Sequence, residues 1–168
     1  MIPNLISISR IFLLFPILYL ILFGHERLAL ALFILACFTD FLDGYLARLL
    51  NQETKLGENL DLLADKIFIT IILIFLPFHY DNFLLLIFSM LLISRELMIG
   101  SVRQYFLSID LPSKTKVNYL GKLKTFLQMF SIGSSIILLN SELEFVAIIL
   151  FFIATFVSWA SLINYIKN

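Results

Sequence analysis

The chain has 168 residues, of which 61% are hydrophobic and 14% are charged, and its mean hydropathy is +1.00. Soluble domains carry about 45–50% apolar and about 25% charged residues, so this composition excludes a water-soluble globular protein and a disordered chain. Cys37 is the single cysteine, which excludes a disulfide scaffold. The composition therefore predicts an integral membrane protein, and the length of its apolar stretches predicts that it is all-α.

Six apolar stretches are candidates for membrane-spanning helices, each of which needs about 20 mostly apolar residues. In chain order they cover residues 11–23, 28–43, 59–77, 82–106, 120–139 and 144–166. The residues from Pro3 to Arg10 predict a short N-terminal interfacial helix ahead of the first span. The connections are short, so residues 1–168 are predicted to form a single transmembrane domain.

Basic residues are distributed unevenly between the two ends of the predicted helices. With six spans, eleven of the twelve Lys and Arg residues fall on the side that carries both termini, and only Arg27 falls on the other side. Cytoplasmic segments of membrane proteins carry this excess of positive charge. We therefore expect both termini to be cytoplasmic.

Four aspartates lie in the second and third predicted spans, close to the cytoplasmic boundary. Asp40 and Asp43 are three residues apart and Asp61 and Asp65 are four apart, so each pair lies on one helix face. A charge near the bilayer centre costs at least about 2.5–3.5 kcal/mol, so these acids need counter-charges. Oxygen ligands of this kind suit Mg²⁺ or Mn²⁺, and two ions about 3.5–4 Å apart can be bridged by such a set. The spacing therefore predicts a site for two metal ions.

The residues beside these aspartates leave room for a phosphate-bearing ligand. Gly44 and Ala47 lie one turn beyond the first pair, and Gly57 lies one turn ahead of Asp61, so small residues border the expected metals. Arg48 adds a planar, permanently charged donor suited to phosphate. The alternative is that these aspartates only lie at helix ends and pair with nearby basic residues. That alternative does not account for four aspartates at these spacings.

Eight residues of this region occur at the spacing of a known signature, Asp40-x-x-Asp43-Gly44-x-x-Ala47-Arg48, then eight residues, then Gly57-x-x-x-Asp61-x-x-x-Asp65. The chain thereby resembles the CDP-alcohol phosphotransferase family. The resemblance implies six spans, a typical homodimer, and attack of an alcohol on a CDP-linked substrate with release of CMP. It implies that the metals are held by Asp40, Asp43, Asp61 and Asp65, that Asp65 is also the base, and that the CDP moiety is bordered by Asp43, Gly44, Ala47, Arg48 and Gly57.

The second half of the chain indicates which kind of alcohol acts as the acceptor substrate. Basic residues lie at the cytoplasmic ends of the fourth and fifth predicted spans, where they are suited to clamp an anionic acceptor: Arg95, Arg103, Lys122 and Lys124. Alternatively, such bases set topology or touch anionic lipid headgroups. Glu96 follows Arg95 directly and is expected on a different helix face. The Arg95-Glu96 pair and the Gly121-Lys122-Leu123-Lys124-Thr125 run resemble family members that use sn-glycerol 3-phosphate.

The expected protein is an enzyme of the bacterial inner membrane with its active site facing the cytoplasm. It would join CDP-diacylglycerol and sn-glycerol 3-phosphate to give phosphatidylglycerophosphate and CMP, with Mg²⁺ or Mn²⁺ as cofactor and no nucleic-acid partner. The alternative within the family is another acceptor, as in cardiolipin synthases or phosphatidylinositol phosphate synthases. From a different class, a divalent-cation transporter would need polar residues across the bilayer, and the outer halves of all six predicted spans are almost purely apolar.

Overall fold

The computed structural model describes the backbone of residues 2–49, 55–109 and 119–167, and the side chains of residues 9–39, 57, 61–106, 108–109 and 121–166. Over these ranges the chain forms helices and no strand, which confirms the predicted all-α class. The helices are α1 (Ile2–Leu22), α2 (Glu26–Leu49), α3 (Lys55–His79), α4 (Phe83–Ser108), α5 (Tyr119–Leu138) and α6 (Glu144–Lys167). Two compact units divide the chain, Met1–His79 with α1 to α3 and Tyr80–Asn168 with α4 to α6.

Three helices are long and apolar enough, in the part of the chain described, to cross a membrane. The qualifying segments are Asp61–His79 in α3, Phe83–Phe106 in α4 and Glu144–Ile166 in α6, while Ser9–Leu22 in α1 is a shorter apolar segment. Large apolar side chains are exposed on these helices, such as Phe78 and Phe156. Exposed apolar surface on this scale is typical of a surface that contacts lipid. These features agree with a membrane-embedded protein.

The first helix is longer than the sequence predicts. Residues 2–22 form one continuous α1, so the prediction of a separate short helix ahead of the first span was wrong. Pro3 lies in the first turn, where proline costs no hydrogen bond, and no glycine interrupts the helix before its end. Gly24 then ends the helix with a positive φ of 72°, a conformation that glycine adopts without steric cost.

In the first unit, α1 packs against both α2 and α3. Its buried face follows the helical repeat and consists of Arg10, Leu14, Ile17 and Ile21. The buried face of α3 contains Ala64, Phe68, Ile72, Leu73 and Leu76. Phe68 stacks on Phe33 of α2, with ring centres 6.0 Å apart and ring planes 13° from parallel. An apolar core therefore holds the three helices together, and Arg10 is the charged member of its α1 face.

In the second unit, α6 packs against both α4 and α5. Small residues line the buried faces of α5 and α6, including Ser131, Ser135, Ala147, Ala154 and Ser158. The Ser135 hydroxyl donates a hydrogen bond to the Ser131 carbonyl at 2.8 Å, within its own helix. Small side chains whose polar atoms bond locally let helices approach closely in an apolar solvent.

Polar side chains also cap the start of α4. The Asn82 side-chain oxygen accepts a hydrogen bond from the Leu85 amide at 2.9 Å, which satisfies one of the unpaired amides of the first turn. The Asn82 amide nitrogen donates to Glu144, the first residue of α6. This contact ties the beginnings of α4 and α6 together.

Replacement of the buried ring of Phe68 tests the packing of the first unit. Phe68→Ala leaves a cavity against Phe33, and we expect the free energy of unfolding to fall by about 3 kcal/mol, the lower end of the range for such changes. Phe78→Ala, at the second-to-last residue of α3, removes a ring that is 86% exposed and should change stability little. Thermal unfolding of both variants in detergent checks the difference; equal loss in both would contradict this packing.

Candidate active site

Two aspartates lie one helical turn apart near the beginning of α3. Asp61 and Asp65 continue the face that carries Phe68 and Ile72, because positions four and seven residues apart fall on the same side of a helix. Unlike the apolar residues that follow, both carboxylates are partly accessible, with 38% and 37% of the side chain exposed. Two anionic groups are therefore presented at one end of an otherwise apolar face.

Arg10 of α1 is the counter-charge of this pair. Its Nη2 atom donates to Oδ1 of Asp61 at 3.0 Å, and its Nη1 atom donates to Oδ1 of Asp65. The Arg10 side chain is only 2% exposed. Burial of a charge is tolerated where charged hydrogen-bonding partners meet it, so one guanidinium and two carboxylates form a single ionic cluster with a formal charge of −1.

The first half of the predicted metal site is described at the level of the backbone. Positions 40 to 49 continue α2 as a regular helix, so Asp40 and Asp43 keep the spacing that places them on one face. Gly57 lies in α3, one turn ahead of Asp61. The side chains of Asp40, Asp43, Gly44, Ala47 and Arg48 lie outside the described residues.

The described half of the site has the donor chemistry that Mg²⁺ requires. Mg²⁺ and Mn²⁺ prefer oxygen ligands, and an ionised carboxylate offers about four lone-pair positions. Arg10 contacts Oδ1 of each carboxylate, and more than a third of each aspartate side chain remains exposed. Among the residues whose side chains are described, no three acidic, histidine or cysteine groups come together. Asp61 and Asp65 therefore offer two carboxylate ligands, and a cation there would need others besides these.

Glu96 is the centre of a second ionic cluster, in the other unit. It accepts hydrogen bonds from Arg95 Nη1 at 3.1 Å and from Lys124 Nζ. Arg95 is 3% exposed, and its Nε atom donates to the Ser158 carbonyl at 3.1 Å. Arg95 and Glu96 leave α4 in different directions, as expected for adjacent residues, but both side chains are long enough to meet.

Arg103 adds a third cation to this cluster. It is close enough to Arg95 and Lys124 for their charges to interact, and its guanidinium carbon lies 6.0 Å from the ring centre of Tyr165. The buried Nε of Arg103 and the buried hydroxyl of Tyr165 have no hydrogen-bond partner among the described residues. Three cations and one carboxylate give an excess of positive charge, and together with the unpartnered Nε of Arg103 this is a chemistry suited to an anion.

Lys122 is not part of this arrangement. Its side chain is exposed, whereas the Lys124 side chain is only 13% exposed and bonded to Glu96. The two lysines are two positions apart and therefore point to different sides of α5. Of the four predicted acceptor-binding residues, the structure brings Arg95, Arg103 and Lys124 together and leaves Lys122 outside.

Two members of these clusters were not predicted as site residues from the sequence. The sequence marks Arg10 as the end of the expected interfacial helix and as one of the basic residues on the cytoplasmic side, and it indicates no role in the site for Glu96. A signal existed for each: Arg10 falls on the apolar repeat of α1 with Leu14, Ile17 and Ile21, and Glu96 is an acid inside an apolar helix. A charge at a buried position needs a partner, which is the general reason to suspect such residues.

A helical membrane protein with a carboxylate pair suited to a cation and a group of basic residues suited to an anion has the features of a phosphotransferase that acts on membrane lipids. The sequence profile of the CDP-alcohol phosphatidyltransferase family matches residues 1–163. That match covers nearly the whole chain, and the chain belongs to this family.

Relatives with assigned names resemble this chain over almost its full length. A protein of Haemophilus influenzae is 35% identical over 99% of this chain and 91% of its own length. Proteins of Salmonella typhimurium and Shigella flexneri are each 31% identical over 99% of this chain and 93% of their own lengths. All three are named CDP-diacylglycerol–glycerol-3-phosphate 3-phosphatidyltransferase.

Proposed function

We propose that this chain transfers a phosphatidyl group from CDP-diacylglycerol to sn-glycerol 3-phosphate, forming phosphatidylglycerophosphate and CMP in membrane lipid synthesis. The observation that carries the proposal is the 31–35% identity over 99% of the chain to relatives whose names specify these two substrates. The ionic clusters support it, because one offers carboxylates to a cation and a hydroxyl, and the other offers bases to an anion.

In the proposed reaction, Asp65 accepts the proton of the attacking hydroxyl of the acceptor. The hydroxyl oxygen forms a bond to the β-phosphorus of CDP-diacylglycerol, the bond from that phosphorus to the bridging oxygen breaks, and CMP leaves with the bridging oxygen and its electron pair. Asp65 suits this role because it is anionic, partly accessible and fixed in orientation by its bond to Arg10.

We propose that Asp61 and Asp65, with Asp40 and Asp43, hold two Mg²⁺ or Mn²⁺ ions. When bound, these cations neutralise the diphosphate and stabilise the leaving CMP. Gly44, Ala47, Arg48 and Gly57 would border the CDP moiety, as the resemblance implies. The donor set supports this assignment, since Asp61 and Asp65 supply only oxygen ligands from one helix face.

We propose that the phosphate of sn-glycerol 3-phosphate binds to Arg95, Arg103 and Lys124. Glu96 restrains two of these cations and cancels one charge, so the cluster keeps a formal excess of two positive charges for a phosphate with up to two negative ones. Phosphate can satisfy the buried Nε of Arg103, and several charge-assisted hydrogen bonds bind an acceptor tightly enough to fix its free hydroxyl.

The proposed setting is a bacterial inner membrane, with all six helices as spans and both termini in the cytoplasm. The excess of Lys and Arg on one side of the predicted spans supports this orientation. The active site would then face the cytoplasm, where a soluble nucleotide head and acceptor meet a lipid held in the bilayer. We also propose a homodimer, which rests on the family resemblance.

The acceptor is tested by measuring CMP release from CDP-diacylglycerol by the purified protein with Mg²⁺. We expect release that depends on sn-glycerol 3-phosphate, with little release when phosphatidylglycerol, an inositol phosphate or no acceptor is supplied. Release with one of the other acceptors would support the proposed phosphotransfer chemistry but would show that sn-glycerol 3-phosphate is not the acceptor. No release with any acceptor, from demonstrably folded protein, would contradict the proposed function.

Replacement of the proposed base separates turnover from binding. Asp65→Asn keeps an oxygen that can accept the bond from Arg10 but removes the group that takes the proton, so kcat should fall at least about 100-fold. Binding of CDP-diacylglycerol in the presence of Mg²⁺, measured by calorimetry in detergent, should persist. If binding is lost together with turnover, Asp65 is chiefly a metal ligand.

The two lysines of α5 provide a matched pair for the acceptor site. Lys124→Ala removes a cation bonded to Glu96, and we expect the KM for sn-glycerol 3-phosphate to rise about tenfold or more while the KM for CDP-diacylglycerol changes little. Lys122→Ala removes an exposed cation of the same helix and should leave both constants near those of the unmodified protein. Steady-state kinetics with each substrate varied checks this; equal effects of the two variants would refute the assignment of Lys124.

A further inference from the structure

We propose that Arg10 is a positioning residue of the carboxylate pair, which sets the separation and orientation of Asp61 and Asp65 for cation binding and proton transfer. The guanidinium is bonded to both carboxylates through two different nitrogen atoms, Nη2 for Asp61 and Nη1 for Asp65. The catalytic part of this proposal rests on the proposed function, whereas its structural part rests on these contacts alone.

The geometry of the guanidinium explains why arginine is suited to this role. Its two terminal nitrogens lie at fixed positions in one plane, so two carboxylates bonded to them are held at a defined separation. Without this bridge, two anions one turn apart would repel and turn away from each other. A lysine has the same charge at a single point and cannot reproduce the planar two-pronged contact.

The guanidinium is buried, whereas the two carboxylates that it joins are partly exposed. Arg10 is 2% exposed, whereas Asp61 and Asp65 are 38% and 37% exposed. A soluble ion or a substrate hydroxyl therefore reaches the carboxylates and not the guanidinium. Arg10 contacts the carboxylates from their buried side and would not touch the cation or the substrate, which is the arrangement of an outer partner that orients metal ligands.

The packing of α1 fixes Arg10 in this position. Leu14, Ile17 and Ile21 follow it on the same buried face, and α1 contacts both α2 and α3. The guanidinium cannot withdraw into water without dismantling that face. The apolar core of this unit thus determines where the counter-charge of the aspartates lies.

The experiment compares Arg10→Lys with Arg27→Lys, a matched change at an exposed arginine of the same unit. Mn²⁺ serves as the probe ion, and its binding to the purified full-length protein is measured by electron paramagnetic resonance. Because lysine keeps the positive charge, a change in Mn²⁺ affinity reports orientation and not a change in net charge. We expect Arg10→Lys to weaken Mn²⁺ binding about 10- to 100-fold, the usual effect of losing an outer partner, and Arg27→Lys to leave it unchanged.

Enzyme kinetics provides the second readout. Arg10→Lys should lower kcat by a similar factor, with the KM for sn-glycerol 3-phosphate changed less than threefold, because the acceptor-binding bases are untouched. Mn²⁺ affinity and kcat within threefold of the unmodified protein would overturn the proposal, as would absence of Mn²⁺ binding by the unmodified protein. If the unmodified protein binds Mn²⁺ but releases no CMP, the proposed function fails while the Mn²⁺ comparison still tests Arg10.

Stability is the control for a purely structural role. Arg10→Lys should remain monodisperse in detergent and unfold cooperatively. If it does not fold, Arg10→Gln is measured in the same way, since its amide can still donate to one carboxylate. Failure of both variants to fold would overturn the proposal, because Arg10 would then be needed for the fold itself.

Discussion

The requirement that every buried charge find a partner organises this protein. An apolar chain in lipid has no solvent that can stabilise an isolated ion, so charged side chains in its helices occur where other elements meet them. The bridge from Arg10 to Asp61 and Asp65 is the clearest case, because it joins two helices and neutralises half of an acidic pair. The apolar face of α1 and the stacked rings of Phe33 and Phe68 hold that bridge in place.

The same requirement has the opposite outcome in the second unit. There one carboxylate, Glu96, is bonded to two cations, Arg95 and Lys124, and the charge of Arg103 interacts with both, so positive charge is in excess. Among the described residues, carboxylates outnumber cations in the first cluster, and cations outnumber carboxylates in the second. The proposed phosphotransfer, with a metal-bound diphosphate and an anionic acceptor, calls for groups of both kinds of charge.

Sequence reasoning succeeded where the pattern is local. The helical repeat and the composition predicted an all-α membrane protein, and the predicted apolar segments coincide closely with α4 and α6. The family match was predicted from eight residues at fixed spacing, which lie on two successive helices. The prediction of a separate helix from Pro3 to Arg10 was wrong. No boundary separates this stretch from the rest of α1, because nothing in it breaks a helix. The roles of Asp40, Asp43 and their neighbours remain predictions.

The sequence by itself determined the helices, the membrane environment, the family and the identity of the aspartates, because each depends on residue type and spacing along the chain. Only the tertiary structure decided which charges become partners. Arg10 and Asp65 are separated by 55 positions and Glu96 and Lys124 by 28, so no local pattern connects them. Likewise, the difference between Lys122 and Lys124 depends on which side of α5 faces other helices. Partner choice follows from helix packing, and packing depends on contacts between residues that are distant in the chain.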